Sequence, residues 1–408
     1  MGGSQDGRLI AVGSKPSLWT MLGQVLYIGT IGYGGPTALT YMRSIFVEKR
    51  GWFSPEEFLE AMSLAQVLPG STGVTAVSYF GYRRYGYFGA IVFPLVFLTP
   101  SIAAILVLSW AYFTYGQLSF VQPLFAGLGA LVVALLLTAT LSLGKAVFTG
   151  SRGRLYRCLF ITAVTFTGSL FRINLIWLLL LSGLMGIALF SKVDEGPAAD
   201  AGGEVGLAPS AQQESLWRFV PLVVTAGLVG AVLTVPGTRA LFLAFFQVGL
   251  LAFGGGFASV ALLQHVVVDQ MQWLPFTQFR DGIALGQVTP GPVLITAGFV
   301  GYKVSGALGA LAATFGIFLP PVILIVLVAD LHERFKRNRI VQAVVSGFQC
   351  GFIGLVAAIT IQFGLSSLID WQTWLIFAAS FVLVWFFKWS AGWAILGTVV
   401  FALIFIRA

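Results

Sequence analysis

The residues of this 408-residue chain whose types and spacing can do chemistry are two glycine clusters, two Pro-Gly dipeptides and a few charges. Gly34-Gly35-Pro36 is followed some 35 residues later by Pro69-Gly70-Ser71-Thr72, and Gly254-Gly255-Gly256 is followed at a like distance by Pro290-Gly291-Pro292. Pro-Gly interrupts a helix, and a helix that restarts just after it points free N–H groups and the positive end of its dipole outward. That geometry suits an anion. Gln66 and Gln287, just upstream of each Pro-Gly, complete a matched set of candidate substrate-binding residues.

Four acids accompany these elements in matched places, Glu48 with Asp269 and Glu60 with Asp281. A proton-coupled carrier can use such acids, so all four are candidates for proton coupling; Glu48 and Asp269 fit solvated loop acids equally well. Arg43 has no basic counterpart in the second half and Arg280 none in the first. Either can grip an oxyanion bidentately, and Arg43 also fits an interfacial residue that snorkels. His265, alone in an apolar-rich stretch, reads as structural. Gly254-Gly255-Gly256 lacks the spacing of a dinucleotide fingerprint, and there is no Ser/His/Asp constellation, metal-ligand spacing or Walker sequence. Neither an enzyme nor a bound metal or cofactor is expected.

The elements that position these residues must bury a broken backbone. Glu56 to Leu68 and Thr72 to Tyr82 hold 13 and 11 residues. As helices they reach about 20 and 16 Å, short of a hydrocarbon core of roughly 30 Å. They predict a re-entrant hairpin of half-helices with its tip near the midplane. Lys49-Arg50 and Arg83-Arg84 flank it and set both ends on the cytoplasmic side. Unpaired amides in lipid cost several kcal/mol each, so the tip must lie inside protein or against a watery cavity. Taken singly, the glycines fit close helix packing as well; recurrence in both halves is what marks the tips.

That recurrence extends well beyond the tips. At an offset of about 220 residues Tyr33-Gly34-Gly35 matches Phe253-Gly254-Gly255, and Trp52, Phe58, Gln66 and Pro69-Gly70 match Trp273, Phe279, Gln287 and Pro290-Gly291. Gly81-Tyr82-Arg83 then falls on Gly301-Tyr302-Lys303, Gly86 on Gly306 and Pro100 on Pro320. Corresponding loops differ in charge: Lys145 to Arg157 is basic where the stretch around Asp370 is not, and His332 to Arg339 is basic where Phe113 to Ser119 is uncharged. Because Lys and Arg mark the cytoplasmic side, the repeats are expected to be inverted.

Composition sets the class. With 58% hydrophobic and 9% charged residues, the chain lies far from soluble proteins, which carry roughly 25% charge. It reads as an all-α polytopic membrane protein. The net charge of +8 is spread over short loops, which fits orientation in the bilayer and not nucleic-acid binding. Cys158 and Cys350 each stand alone in apolar stretches and read as core thiols. Met1 to Pro16 is polar and is not expected to be a signal peptide. The expected organisation is an N-terminal repeat (1–190), a flexible Ala/Gly/acid-rich linker (191–215), a connecting transmembrane helix (216–235) that inverts the second copy, and a C-terminal repeat (236–408).

Tyr33-Gly34-Gly35-Pro36, Met42 to Glu48, Trp52, Glu57-Phe58, Gln66 to Gly70 and Gly81-Tyr82-Arg83 together resemble the signature of the chromate ion transporter family. The weaker second copy resembles the second half of its long, two-domain members. The resemblance implies a multi-pass carrier of the bacterial or archaeal inner membrane that exports chromate, a tetrahedral dianion like sulfate, and so confers resistance. Two departures bear on the ligand: Ser71 stands where the family often has proline, and Gly256 where the first copy has Pro36. Moving a dianion out through about 100 mV yields roughly 4.6 kcal/mol, so export needs no coupled ion. The expectation is therefore chromate efflux by alternating access at a midplane site between the repeats, with the lipid bilayer as surroundings and a homodimer as the candidate assembly. A sulfate, molybdate or other oxyanion carrier is the alternative. A non-transporting scaffold or receptor, with tips packed shut, is the alternative from another class.

Overall fold

The computed structural model describes residues 16–116, 118, 121–191, 227, 230–231, 234–253, 255–257, 259–328, 338–389 and 391–405. Among them are fourteen α-helices. In the first half α1 (Leu18–Ile31) and α2 (Gly34–Met42), which runs on as a π-helical turn Arg43–Lys49, lead to α3 (Pro55–Val67) and α4 (Thr72–Tyr115); α5 (Gln122–Val147), α6 (Arg152–Leu170) and α7 (Leu175–Phe190) follow. The second half repeats the order: α8 (Thr238–Leu251), α9 (Ser259–Gln264) with its own π-helical turn His265–Gln270, α10 (Phe276–Val288), a 3-10 turn Val293–Ile295 leading into α11 (Thr296–Val328), then α12 (Arg339–Ser367), α13 (Trp371–Trp385) and α14 (Ala391–Phe405). Helices α4, α5, α11 and α12 are long and apolar enough to cross a membrane, and α1, α7, α8, α13 and α14 are shorter apolar helices. The chain is an all-α polytopic membrane protein.

The backbone repeats where the sequence does. Left-handed φ recurs at Gly51 and Gln272 (59° and 52°), Gly70 and Gly291 (113° and 100°), Gly86 and Gly306 (61° and 58°), and Arg172 and Lys388 (58° and 57°). Gly86 and Gly306 reverse the chain inside α4 and α11. The half-helix expected to end at Tyr82 continues to this reversal, where Gly81 and Gly89 meet backbone to backbone, as do Gly301 and Gly309. Ser78 Oγ donates to the Ala90 carbonyl at 2.8 Å, a contact that a continuous helix forbids because it would set them about 18 Å apart. The short leg of α4 therefore belongs with α3 as hairpin 1, and the short leg of α11 with α10 as hairpin 2.

The halves interlock reciprocally. Helix α5 packs along α13 and α14, while its counterpart α12 packs along α6 and α7. Small residues permit the approach: Gly127 lies on Ala402 and Ile376, Gly354 on Thr165, and Gly186 on Gly347. Helices α5 and α12 run antiparallel, with Gly129 beside Ser367 and Val133 beside Gly364. Thr140 and Thr360, which occupy equivalent places in the repeats, meet at 3.5 Å. Such self-complementary contact between like elements is the mark of a pseudo-two-fold relation. Cys158 of α6 and Cys350 of α12, separate in sequence, share one buried cluster as free thiols. The expected linker and connecting helix lie almost entirely outside the described residues, as does most of the basic loop 332–339.

Candidate functional site

Each hairpin tip docks on the glycine break of the opposite half. At tip 1 the chain leaves α3 through Leu68 and Pro69, turns at left-handed Gly70 and restarts as α4 at Thr72. The Gly70 N–H donates to the Ala252 carbonyl, in the break between α8 and α9, at 2.8 Å. At tip 2 the Gly291 N–H donates to the Gly32 carbonyl, in the break between α1 and α2, at 3.0 Å. Tyr33 and Gly291 form an isolated parallel β-bridge. A long helix of the opposite half closes each tip. Gly70 lies against Pro321 of α11; Gly291 lies against Ser101 of α4, whose hydroxyl donates to the Pro290 carbonyl at 2.6 Å.

These breaks gather helix starts. Helix α2 begins at Gly34 and α4 at Thr72, and the residues before them, Tyr33 and Ser71, make no side-chain cap hydrogen bond. Their first-turn N–H groups thus lack the side-chain acceptor a cap supplies. Pro69, Gly70 and Ser71 are buried, Ser71 almost completely. Gly255 is left-handed with open space at its α-carbon, Gly256 faces Val293, and Gly254 lies outside the described residues. Gly34, Gly35 and Pro36 form the first turn of α2. Gln66 is exposed on α3, whereas Gln287 on α10 is buried and its Nε2 has no hydrogen-bond partner.

Among the described residues, the nominated charges contact partners other than the tip residues. Arg43 opens the first π-helical turn and pairs with Glu48 at 3.3 Å, both side chains well exposed; His265 opens the second and faces Asp269 at 3.8 Å. Glu60 is half-buried beside Tyr79. Asp281 is buried, bound by Arg280 at 3.1 Å and by the Tyr112 hydroxyl at 2.9 Å. Sequence reasoning passed over Ser101, Pro321, Tyr112 and Ser366. Ser101 and Pro321 follow the matched pair Pro100 and Pro320, so the repeat pointed to them; nothing local marks Tyr112 or Ser366.

An apolar crevice of about 40 Å³ opens between Pro94, Leu98 and Ile102 of α4 and their repeat counterparts Thr314, Phe318 and Val322 of α11. Its walls offer almost no hydrogen-bonding capacity, so it cannot replace the hydration of a dianion. The tips and breaks, by contrast, carry helix starts without side-chain caps and the unpartnered Gln287 amide.

The profile of the chromate transporter family matches residues 19–187 and 239–404, covering both halves. A probable chromate transport protein of Synechococcus elongatus is 32% identical over 92% of each chain. The chromate transport protein of Cupriavidus metallidurans is 31% identical over 93% of this chain and 92% of its own, and an uncharacterized transporter of Methanocaldococcus jannaschii is 29% identical over 91% and 90%. No solved structure matches the chain. With a profile spanning both repeats and relatives this similar along nearly their whole length, the chain belongs to the chromate transporter family.

Proposed function

We propose that this protein exports chromate from the cytoplasm by alternating access, at a site built from the two tips and the glycine breaks they dock on, and so confers resistance. The observation that carries the reading is the reciprocal pair of bonds from Gly70 to Ala252 and from Gly291 to Gly32, which seats tip 1, where uncapped α4 starts, on the break between α8 and α9, and tip 2 on the break where uncapped α2 starts. The antiparallel course of α5 and α12, both long enough to span, supports inverted repeats, because equivalent helices then point to opposite compartments. The arginines nominated as anion ligands are already paired with acids. The oxyanion is therefore held by neutral donors: backbone N–H groups, Ser71, Thr72 and Gln287. Glu48, Asp269 and Asp281 each face a basic partner, and export down the membrane potential runs without a coupled proton.

The test is chromate accumulation in sulfate-limited cells with and without the protein. Lower intracellular chromate in expressing cells is the expected result; equal levels would sink export. Neutral donors arranged for a tetrahedral dianion also fit sulfate and molybdate, and competition by each in proteoliposomes separates a chromate carrier from a general oxyanion carrier.

A further inference from the structure

Equivalent faces of the two hairpins are covered differently. On α10, Ile283, Ala284 and Gln287 are 0%, 1% and 7% exposed, and the helix packs along α5 and α14. On α3 the matching Met62 and Ser63 are only half-buried, Gln66 is exposed, and the main partners are α4 and the first π-helical turn. Leu59, which stands where α10 has Arg280, is 53% exposed. A face carrying Ser63 and Gln66 is costly against lipid at the depth of a hairpin leg, so it borders water.

The side chains that hold the hairpins differ in the same sense. Arg280 Nε and Nη2 both donate to Asp281 Oδ1, at 3.2 and 3.1 Å, and Nη1 donates to the Ser366 carbonyl of α12 at 3.0 Å. Tyr112, on α4 of the opposite half, donates to Asp281 Oδ2 at 2.9 Å. Hairpin 2 is thus tied to the body of the protein from two sides. The ion pairs of hairpin 1 lie within it, Glu57 of α3 with Arg83 and Arg84 of α4, and the side-chain bonds that leave it stay in its own half: Ser78 Oγ donates to the Ala90 carbonyl and the Tyr85 hydroxyl to the Pro16 carbonyl. Both hairpins end at a left-handed glycine, Gly86 and Gly306, but hairpin 1 begins at left-handed Gly51 where hairpin 2 begins at left-handed Gln272. A glycine absorbs a change of φ and ψ more readily than a glutamine does.

Building on the transport reading, we infer that Arg280 and Asp281 are positioning residues that lock hairpin 2, and that hairpin 1 alone swings to open and close access. The stripe Leu59, Met62, Ser63 and Gln66 lines the vestibule through which the oxyanion enters, and this vestibule faces the cytoplasm because Lys49-Arg50 and Arg83-Arg84 flank the mouth of hairpin 1. The two repeats therefore share a backbone and divide the labour: one is the gate, the other the post.

The experiment introduces Met62→Cys or Ile283→Cys singly into the full chain, reconstitutes it in proteoliposomes and follows labelling by a water-soluble maleimide with and without a chromate gradient. The native thiols at positions 158 and 350 are buried, and the unaltered protein is the blank. Position 62 is expected to label readily and to change several-fold in rate when chromate is supplied, with position 283 protected in both conditions. The paired variant Arg280→Gln/Asp281→Asn, which leaves no lone buried charge, should raise labelling at 283 about tenfold, while Arg280→Lys keeps it protected. Position 283 responding to chromate as strongly as position 62, or position 62 not responding, would overturn the inference. Chromate uptake by the unaltered protein is measured in the same vesicles. Its absence would overturn the transport reading, whereas the protection at 283 and its loss in the paired variant test the lock independently.

Discussion

Hairpins 1 and 2 turn at left-handed glycines in matching places and dock their tips on matching carbonyls, yet nearly every side chain that secures them has changed. Tip 1 rests on the ring of Pro321, tip 2 on the hydroxyl of Ser101. The mouth of hairpin 1 is closed by Glu57 with Arg83 and Arg84; in hairpin 2 the same places hold Gln278, Lys303 and Val304, and Lys303 lies over the Phe113 ring at 5.1 Å. What the duplication keeps is the set of backbone conformations that make a tip. The means of holding each hairpin was free to diverge, and that divergence is where the halves acquire different roles.

One methyl group added at each tip separates the two hairpins most strongly. Gly70→Ala puts a Cβ 2.8 Å from two ring carbons of Pro321 on a backbone at φ 113°. Left-handed strain of about 1–2 kcal/mol and overpacking of a similar size together predict a loss of about 3 kcal/mol. Gly291→Ala carries the same backbone strain but meets the Ser101 hydroxyl, which can rotate away by giving up its bond to Pro290. Its cost is about 2 kcal/mol. Thermal unfolding in detergent should rank Gly70→Ala below Gly291→Ala and both below the unaltered protein, with chromate transport near background in each. Equal unfolding temperatures for the two would mean that proline and serine hold the tips alike.

A smaller change makes the mouth of hairpin 1 resemble that of hairpin 2. Glu57→Gln copies Gln278, preserves an acceptor for the Ser54 N–H at the helix start, and removes only the charge that Arg83 and Arg84 share. These side chains are 12–18% exposed. Two mostly buried cations without a counter-charge cost about 1.5 kcal/mol, less than the 3–5 kcal/mol of a fully buried pair because water still reaches them. Unfolding measurements should show that loss, and Gln278→Glu should not restore it. A neutral result for Glu57→Gln would mean that the three charges do not brace the hairpin.

These contrasts explain what could be read from the sequence. Gly70 and Gly291 were legible because a left-handed turn admits few residue types, so the repeat preserved them. The class was legible in the 58% hydrophobic composition, and the breaks in segments too short to span. The pairing of each tip with the opposite half's break was not legible, since both contacts are backbone hydrogen bonds between distant segments. Arg280 looked like an anion ligand because it has no basic counterpart in the first half; its neighbour Asp281, read separately as a candidate for proton coupling, is its partner. Tyr112 and Ser366 complete that network from α4 and α12, a juxtaposition that only the interlocking of the halves creates.

The smallest stability effect separates a ligand-binding amide from a structural one. Gln287 is 7% exposed and its Nε2 donates to nothing, whereas its counterpart Gln66 is exposed. A buried donor without an acceptor costs about 1–3 kcal/mol. Gln287→Leu, nearly equal in volume, removes that donor and should raise stability by about 1 kcal/mol, whereas Gln66→Leu should leave it unchanged. An N–H donated to a charged oxyanion is worth about 1.5–3 kcal/mol, so Gln287→Leu should also weaken chromate binding roughly tenfold or more. Unfolding curves and binding titrations on the same preparation read both quantities. Stability and affinity moving in opposite directions is the signature of a donor kept unpaired for the substrate. A gain in stability with unchanged affinity would remove Gln287 from the site and leave the oxyanion to the backbone of the tips.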